Sequence, residues 1–195
     1  MTLIFSPRSA LRTSGYFKSV ALKKPCLRDG SPIPWMNYCA IHFLDERLQP
    51  DQQMFEFGSG NSTRWFAERV AQVTSVENNQ QWYDYVKDTL PANVELKFQP
   101  SGVPEYANAV AASHTAYDVV VVDADERVAC MLNAAGFLSA RGVIVLDDAQ
   151  REIYREGIEG LLEKGFRKLD LRGLKAGGIK FYSTMIFYRD GNCLD

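Results

Sequence analysis

The stretch from Met54 to Thr63, Met-Phe-Glu-Phe-Gly-Ser-Gly-Asn-Ser-Thr, constrains the fold more than any other, because an apolar run meets a glycine turn and then a helix start. Gln53 to Phe57 reads as a short buried strand. Gly58 and Gly60 permit a tight turn with positive φ, and Ser62 or Thr63 can cap a helix running through Val70. The unit is a strand, turn and helix of the kind that holds a nucleotide. Without Cβ atoms at Gly58 and Gly60, a ligand can lie against bare backbone while the N–H groups that open the helix bond its oxygens.

Two features sort among ligands. A dinucleotide fingerprint needs a third glycine so that helix and strand pack closely, and Thr63 stands in its place. An acid, Glu56, stands two residues before the first glycine, where it can face the cationic end of a ligand. The apolar run Val73 to Val76 ends on Glu77, and a carboxylate at the tip of a second strand suits the two hydroxyls of a ribose. Acid, glycine turn and second-strand acid together resemble the class I S-adenosylmethionine (SAM) dependent methyltransferases, over roughly residues 50 to 190. The resemblance implies a Rossmann-like α/β fold: a doubly wound, mostly parallel sheet with an antiparallel last strand and helices on both faces. It gives Gly58, Ser59 and Gly60 to the methionine part of SAM and Glu77 to the ribose; the methionine end is expected along Glu56 to Asn61, and Ser62 and Asn78 are further cofactor-binding candidates. By position alone, Ser101 and Gly102, in the turn after the third strand, fall to the adenine.

With 195 residues, of which 46% are hydrophobic and 24% charged, one folded domain is expected. Residues 1–49 form an N-terminal leader and helix packing on the core, with the option of covering the site, and 50–195 form the SAM-binding core. The net charge of −2, from 22 basic and 24 acidic residues, gives no field for a phosphate backbone, so nucleic acid is a poor partner. Lys23 and Lys24, with Arg28 nearby, read as a solvated face. Cys26, Cys39, Cys130 and Cys193 are scattered, without a CxxC pair, and only two histidines accompany them, which argues against zinc. Cys39 and Cys130 read as small core residues. No apolar run reaches the ~20 residues of a membrane span, and the first residues lack a signal-peptide core, so a cytoplasmic protein without membrane partners is expected.

Apolar residues at helical spacing, Trp35, Tyr38, Cys39, His42 and Phe43, predict a helix from about Trp35 to Leu48, with Trp35 and Tyr38 in the core or, alternatively, over the cofactor. Residues 80–90 read as a helix stopped by Pro91, 94–98 as a strand, and 106–112 as a short helix. His114 reads as a surface loop residue. Four consecutive valines, Val119 to Val122, make a strand buried on both faces. A helix over 127–138, a turn at Arg141-Gly142, a strand over 143–146, a helix over 150–164, a strand over 166–171, a Gly-rich connection over 173–178 and a last strand over 181–188 follow.

The strands at 118–122 and 143–146 end in acids: Asp123 and Asp125, then Asp147 and Asp148. In an open α/β sheet these project into the crevice that Gly58 and Glu77 share. Methyl transfer leaves a neutral thioether, so the residues needed are ones that align the acceptor and remove its proton. Asp123 and Asp148 are the candidates for catalysis, and Asp123 is also placed to attract the amino group of SAM. The spacing is similar to that of the metal-dependent catechol and caffeoyl-CoA type O-methyltransferases, which implies magnesium or calcium as an alternative. Asp148 stands where that subfamily has asparagine, so a divalent metal is not the favoured reading. Asp125 and Asp148 are equally suited to cap the helices that follow them. A nicotinamide or flavin enzyme on the same fold, and a non-catalytic nucleotide-binding protein, remain as further alternatives. The acceptor, a small molecule in the leading reading, is methylated on oxygen or nitrogen, its pocket shaped by the leader and by residues near Tyr154 and 173–182.

Overall fold

The structure, a computed structural model, describes residues 6–112 and 115–195. His114 therefore lies outside the described residues. The valine run sets the architecture. Side chains alternate across a strand, so Val119 and Val121 enter one apolar layer with Met54, Val73, Val143 and Val145, while Val120 and Val122 enter the other with Phe55, Phe57, Ile144 and Leu146. All four valines are completely buried, each contributing roughly 1.5–3 kcal/mol of burial. A strand apolar on both faces must be covered on both.

The elements run α1 (Ala10–Thr13), α2 (Tyr16–Leu22), α3 (Tyr38–Arg47), β1 (Gln53–Phe57), α4 (Asn61–Ala67), β2 (Gln72–Glu77), α5 (Gln80–Val86), β3 (Val94–Phe98), α6 (Pro104–Ala107), β4 (Tyr117–Val122), α7 (Arg127–Ala134), β5 (Leu138–Leu146), α8 (Arg155–Glu163), β6 (Arg167–Leu174) and β7 (Phe181–Tyr188). The strands form one sheet in the order β3-β2-β1-β4-β5-β7-β6. β3, β2, β1, β4 and β5 are parallel, and β7 enters antiparallel between β5 and β6. This is the doubly wound, Rossmann-like fold expected. The chain winds outward from β1 through β2 to β3, then returns to start β4 on the other side of β1. The crevice between β1 and β4 is therefore the switch point at which ligands bind such sheets.

Several boundaries differ from the sequence reading, each for a physical reason. α3 starts at Tyr38 because Asn37, in extended conformation, caps it by accepting from the Ala40 N–H at 3.0 Å. Its buried face is Ala40, Ile41 and Leu44, which continue the aliphatic set begun by Ile33 and Met36, whereas Trp35, Cys39 and His42 point outward. Cys39 is thus no core residue, while Cys130 is one. Arg141-Gly142 is not a turn: β5 runs through it, held extended because the Arg141 carbonyl accepts from the Cys193 N–H and its guanidinium donates to the Gly191 and Asn192 carbonyls. Gly173 likewise belongs to β6, paired with Tyr182. The helices expected over 80–90, 106–112 and 150–164 are shorter, each with a 3-10 turn at one end. No helix among the described residues is long and apolar enough to cross a membrane.

Candidate active site

Thr63, the residue standing where a third glycine was missed, organises the turn after β1. Its hydroxyl accepts from the Gly60 N–H at 2.9 Å and donates to Glu56 Oε2 at 2.5 Å. Gly60 is therefore the residue that caps α4, rather than Ser62 or Thr63. Gly58 has φ +101°, and a Cβ there would stand 2.6 Å from the Asp123 carbonyl oxygen, so glycine is required by the close approach of the segment after β4. At Gly60 a Cβ would meet only the Trp82 ring, from 3.5 Å, and the backbone there is open.

Glu56, Gly58, Ser59, Ser62, Glu77, Asn78 and Asp123 come together around one polar cavity of about 360 Å³, within the ~300–1,000 Å³ of small-molecule sites. Glu56 is 1% exposed, and burial pushes its carboxyl up to about 7 against the hydrogen bonds of Ser62 and Thr63. Glu77, at the tip of β2, accepts from the Ser59 hydroxyl at 2.7 Å and from the Asn79 N–H at 2.8 Å, which fixes its carboxylate plane and leaves lone pairs for a ligand. Asn78 donates to Asp125 at 2.9 Å across the cavity rim. Three polar residues not singled out from the sequence, Tyr106, Arg127 and Arg151, also line the wall. The Tyr106 hydroxyl and Arg127 Nε are buried with no hydrogen-bond partner among the described residues. Burial also raises the Tyr106 phenol above its ordinary range, so it stays a protonated donor. Orphaned polar groups of this kind carry a cost that a polar ligand relieves. The residues fit SAM.

Not every expected residue lines this cavity: Gly60 and Asn61 border only the second cavity described below. Asn61 instead donates to the Pro25 carbonyl at 3.1 Å, tying the leader to the glycine turn. Ser101 and Gly102 lie outside the lining, and the Gly102 N–H is bound to the Glu126 carboxylate. Ser59, Ser62 and Asp123 border a second cavity of about 500 Å³ as well, which opens under the leader.

The acids at the strand ends divide into two groups. Asp123 pairs with Arg127, whose guanidinium also donates to the Ala124 carbonyl and to the Tyr154 hydroxyl, the latter at 3.0 Å. The i, i+4 spacing of Asp123 and Arg127 was a sequence signal for this pair. Asp147 and Asp148 face a lysine. Lys175 Nζ lies 2.8 Å from Asp148 Oδ1 and 3.4 Å from Asp147 Oδ2, over the Tyr182 ring at 4.4 Å. Asp147 also accepts from Thr184 at 2.7 Å, and Asp148 from Arg151 at 2.8 Å. Burial, aided by the charge of Asp123, pushes Asp147 up to about 7. Against its own desolvation, Lys175 and Arg151 hold Asp148 below the ordinary range. Neither Asp125 nor Asp148 caps a helix: α7 is preceded by Glu126, and Asp148 occupies a turn at φ +55° with its carboxylate in ion pairs. These residues do not fit a divalent ion, because an ammonium already sits where the paired carboxylates would hold one. Among the described residues no three His, Cys, Asp or Glu side chains gather as a ligand set.

Residues 55–149 match a family described as a methyltransferase domain. No curated protein sequence matches the chain. Among solved structures, a methyltransferase-like protein from Silicibacter pomeroyi is 23% identical, with TM-score 0.56, covering 80% of this chain and 89% of that one. A precorrin-6y C5,15-methyltransferase from Geobacter metallireducens is 18% identical, with TM-score 0.56, covering 76% and 86%. An rRNA methylase from Streptococcus thermophilus is 14% identical, with TM-score 0.55, covering 75% and 92%. Identities this low carry the fold alone. Residues 55–149, just under half of the chain, thus match a methyltransferase-domain family, and the sheet order and acid-flanked glycine turn agree with the Rossmann-like fold of the class I, SAM-dependent methyltransferases.

Proposed function

We propose that the protein is a cytoplasmic enzyme that transfers a methyl group from SAM to an oxygen or nitrogen of a small-molecule acceptor. The observation that carries this is the convergence of Glu56 and Glu77 on one polar cavity, floored by the Gly58 turn and walled by the unpartnered Tyr106 hydroxyl and Arg127 Nε. SAM supplies a methyl carried on a sulfonium. In this reading Glu77, with Asn78 beside it, holds the ribose hydroxyls and Glu56, Gly58, Ser59 and Ser62 the methionine end, while Ser101 and Gly102, outside the cavity lining, are not assigned to the adenine. Two concave sites that meet at Ser59, Ser62 and Asp123 suit a small acceptor, and the net charge of −2 gives nucleic acid no attraction. Four free cysteines agree with a reducing compartment.

Asp123 borders both cavities, so its carboxylate can accept the proton of an acceptor hydroxyl or ammonium, or attract the cationic amino group of the cofactor. Asp148, a weakened base, serves to position Arg151, which lines the cofactor cavity. The metal-dependent reading is not favoured, since Lys175 neutralises Asp147 and Asp148. The test is methyl transfer from labelled SAM to a panel of hydroxylated and amino small molecules in the presence of EDTA. A labelled product is expected, with turnover reduced about 100-fold in Asp123→Asn at unchanged SAM affinity if Asp123 takes the proton. Lost affinity with intact turnover at saturating SAM assigns it to the cofactor instead. SAM binding with no acceptor methylated across the panel would favour a non-catalytic binding protein.

A further inference from the structure

The second cavity is built differently from the first. Trp35, Trp82 and Tyr85 stand around it with 53%, 43% and 69% of their surfaces exposed. One exposed aromatic on a surface is ordinary, but three on one concavity mark a binding site. Both indoles are pinned by their N–H groups, Trp35 to the Ala176 carbonyl at 3.1 Å and Trp82 to the Ser59 carbonyl at 2.9 Å. The Tyr85 ring lies 5.2 Å from that of Trp82, tilted by 32°. These faces are therefore held in place before a ligand arrives, which lowers the cost of stacking against them.

Charge adds a second, independent observation. Lys23, Lys24 and Arg64 line the same cavity, and neither lysine makes an ion pair among the described residues. Asp123, the one acid on the wall among the described residues, is already bound to Arg127. Lys23 is held at φ +53°, a conformation glycine adopts more readily, at the end of α2. The Asn61 bond to the Pro25 carbonyl fastens this lysine segment over the glycine turn. A net positive cavity with fixed aromatic walls, continuous at Ser59, Ser62 and Asp123 with the cofactor cavity, selects for charge and shape together.

We infer that the methyl acceptor binds in this second cavity and is a flat, ring-bearing anion, a carboxylate or phosphate ester carrying the hydroxyl or amine to be methylated. The acceptor role rests on the methyltransferase reading above; the anion site does not. The test is calorimetric titration of the full chain with 3,4-dihydroxybenzoate, phenyl phosphate and neutral catechol, with and without saturating S-adenosylhomocysteine. At least one anion should bind about tenfold more tightly than catechol, and which one does so tells carboxylate from phosphate. The double variant Lys23→Gln, Lys24→Gln should cut that advantage by about fivefold while S-adenosylhomocysteine affinity is unchanged. Trp35→Leu, with its Tm checked, should weaken all three probes. Equal binding of catechol and the anions, an advantage that survives loss of both lysines, or no binding of any probe would overturn the inference. Anion binding without any binding of S-adenosylhomocysteine would overturn the donor reading and the acceptor role, and keep the anion site.

Discussion

Glu56→Gln isolates the least exposed acid in the cofactor cavity. Glu56 is almost wholly buried, and its carboxyl is raised from 4.5 to about 7, chiefly by burial. Below about pH 4.5 the group is protonated both folded and unfolded and costs nothing. Between there and pH 7 the folded state binds more protons than the unfolded one, so stability falls as pH rises. Above pH 7 the folded protein carries the whole cost of a buried carboxylate, which a shift of this size puts at about 3 kcal/mol. Glutamine has the same shape, stays neutral, and can still accept from the Thr63 hydroxyl that Glu56 binds at 2.5 Å. The stability difference between variant and wild type should therefore grow by about 3 kcal/mol in favour of glutamine between pH 4.5 and pH 8. Urea unfolding of both proteins without ligand, at half-unit steps of pH, measures it. A difference that stays flat across that range would refute the reasoning. SAM affinity should move the other way, because at pH 8 the variant has lost the charge that faces the ammonium end of the ligand.

Lys175→Ala should destabilise the protein by about 3 kcal/mol at pH 8, because it leaves the buried Asp147 beside Asp148 without its cation, Arg151 remaining on Asp148 alone. The loss should shrink at pH 6, where Asp147 takes a proton, and added magnesium should raise Tm in this variant while leaving the wild type unmoved. A wild-type Tm that climbs with magnesium would contradict the fit of Lys175 to that place. Tyr106→Phe removes a buried hydroxyl without a partner, so the ligand-free protein should keep its stability or gain about 1 kcal/mol, while SAM affinity falls. Scanning calorimetry with and without SAM reads both, and a destabilised ligand-free variant would mean that the hydroxyl is already satisfied.

The parallel core was legible because each of its strands carries its own local signal. Gln53 to Phe57 and Phe181 to Tyr188 have the predicted bounds, and the valine run announces a two-faced strand whatever surrounds it. The acids at the strand tips followed from the rule that parallel strands open on one edge. What local pattern does not carry is which face of a segment the rest of the molecule covers. In α3 the aromatic and sulfur residues matched a helical stripe, yet the sheet accepts the aliphatic face, leaving Trp35 outside, beside the second cavity. β5 continues through Arg141-Gly142 because the chain end pairs with it from about fifty residues away. Lys175 is similar: a lysine in a Gly-rich segment has no sequence mark of its partners, which lie 27 and 28 residues earlier. Only its position in space converts two candidate metal ligands into ion-paired structural acids.

The central claim is that the crevice over the carboxyl ends of β1, β2 and β4 holds SAM, with Glu77 on its ribose. Calorimetric titration of wild type and Glu77→Ala with S-adenosylhomocysteine tests it most directly, with NAD as the comparison ligand. One equivalent should bind the wild type, NAD should not, and the variant, its folding confirmed by Tm, should lose about 1.5–3 kcal/mol of affinity with the charge-assisted hydrogen bonds of the carboxylate. Unchanged affinity in Glu77→Ala, or binding of NAD in place of S-adenosylhomocysteine, would contradict the account.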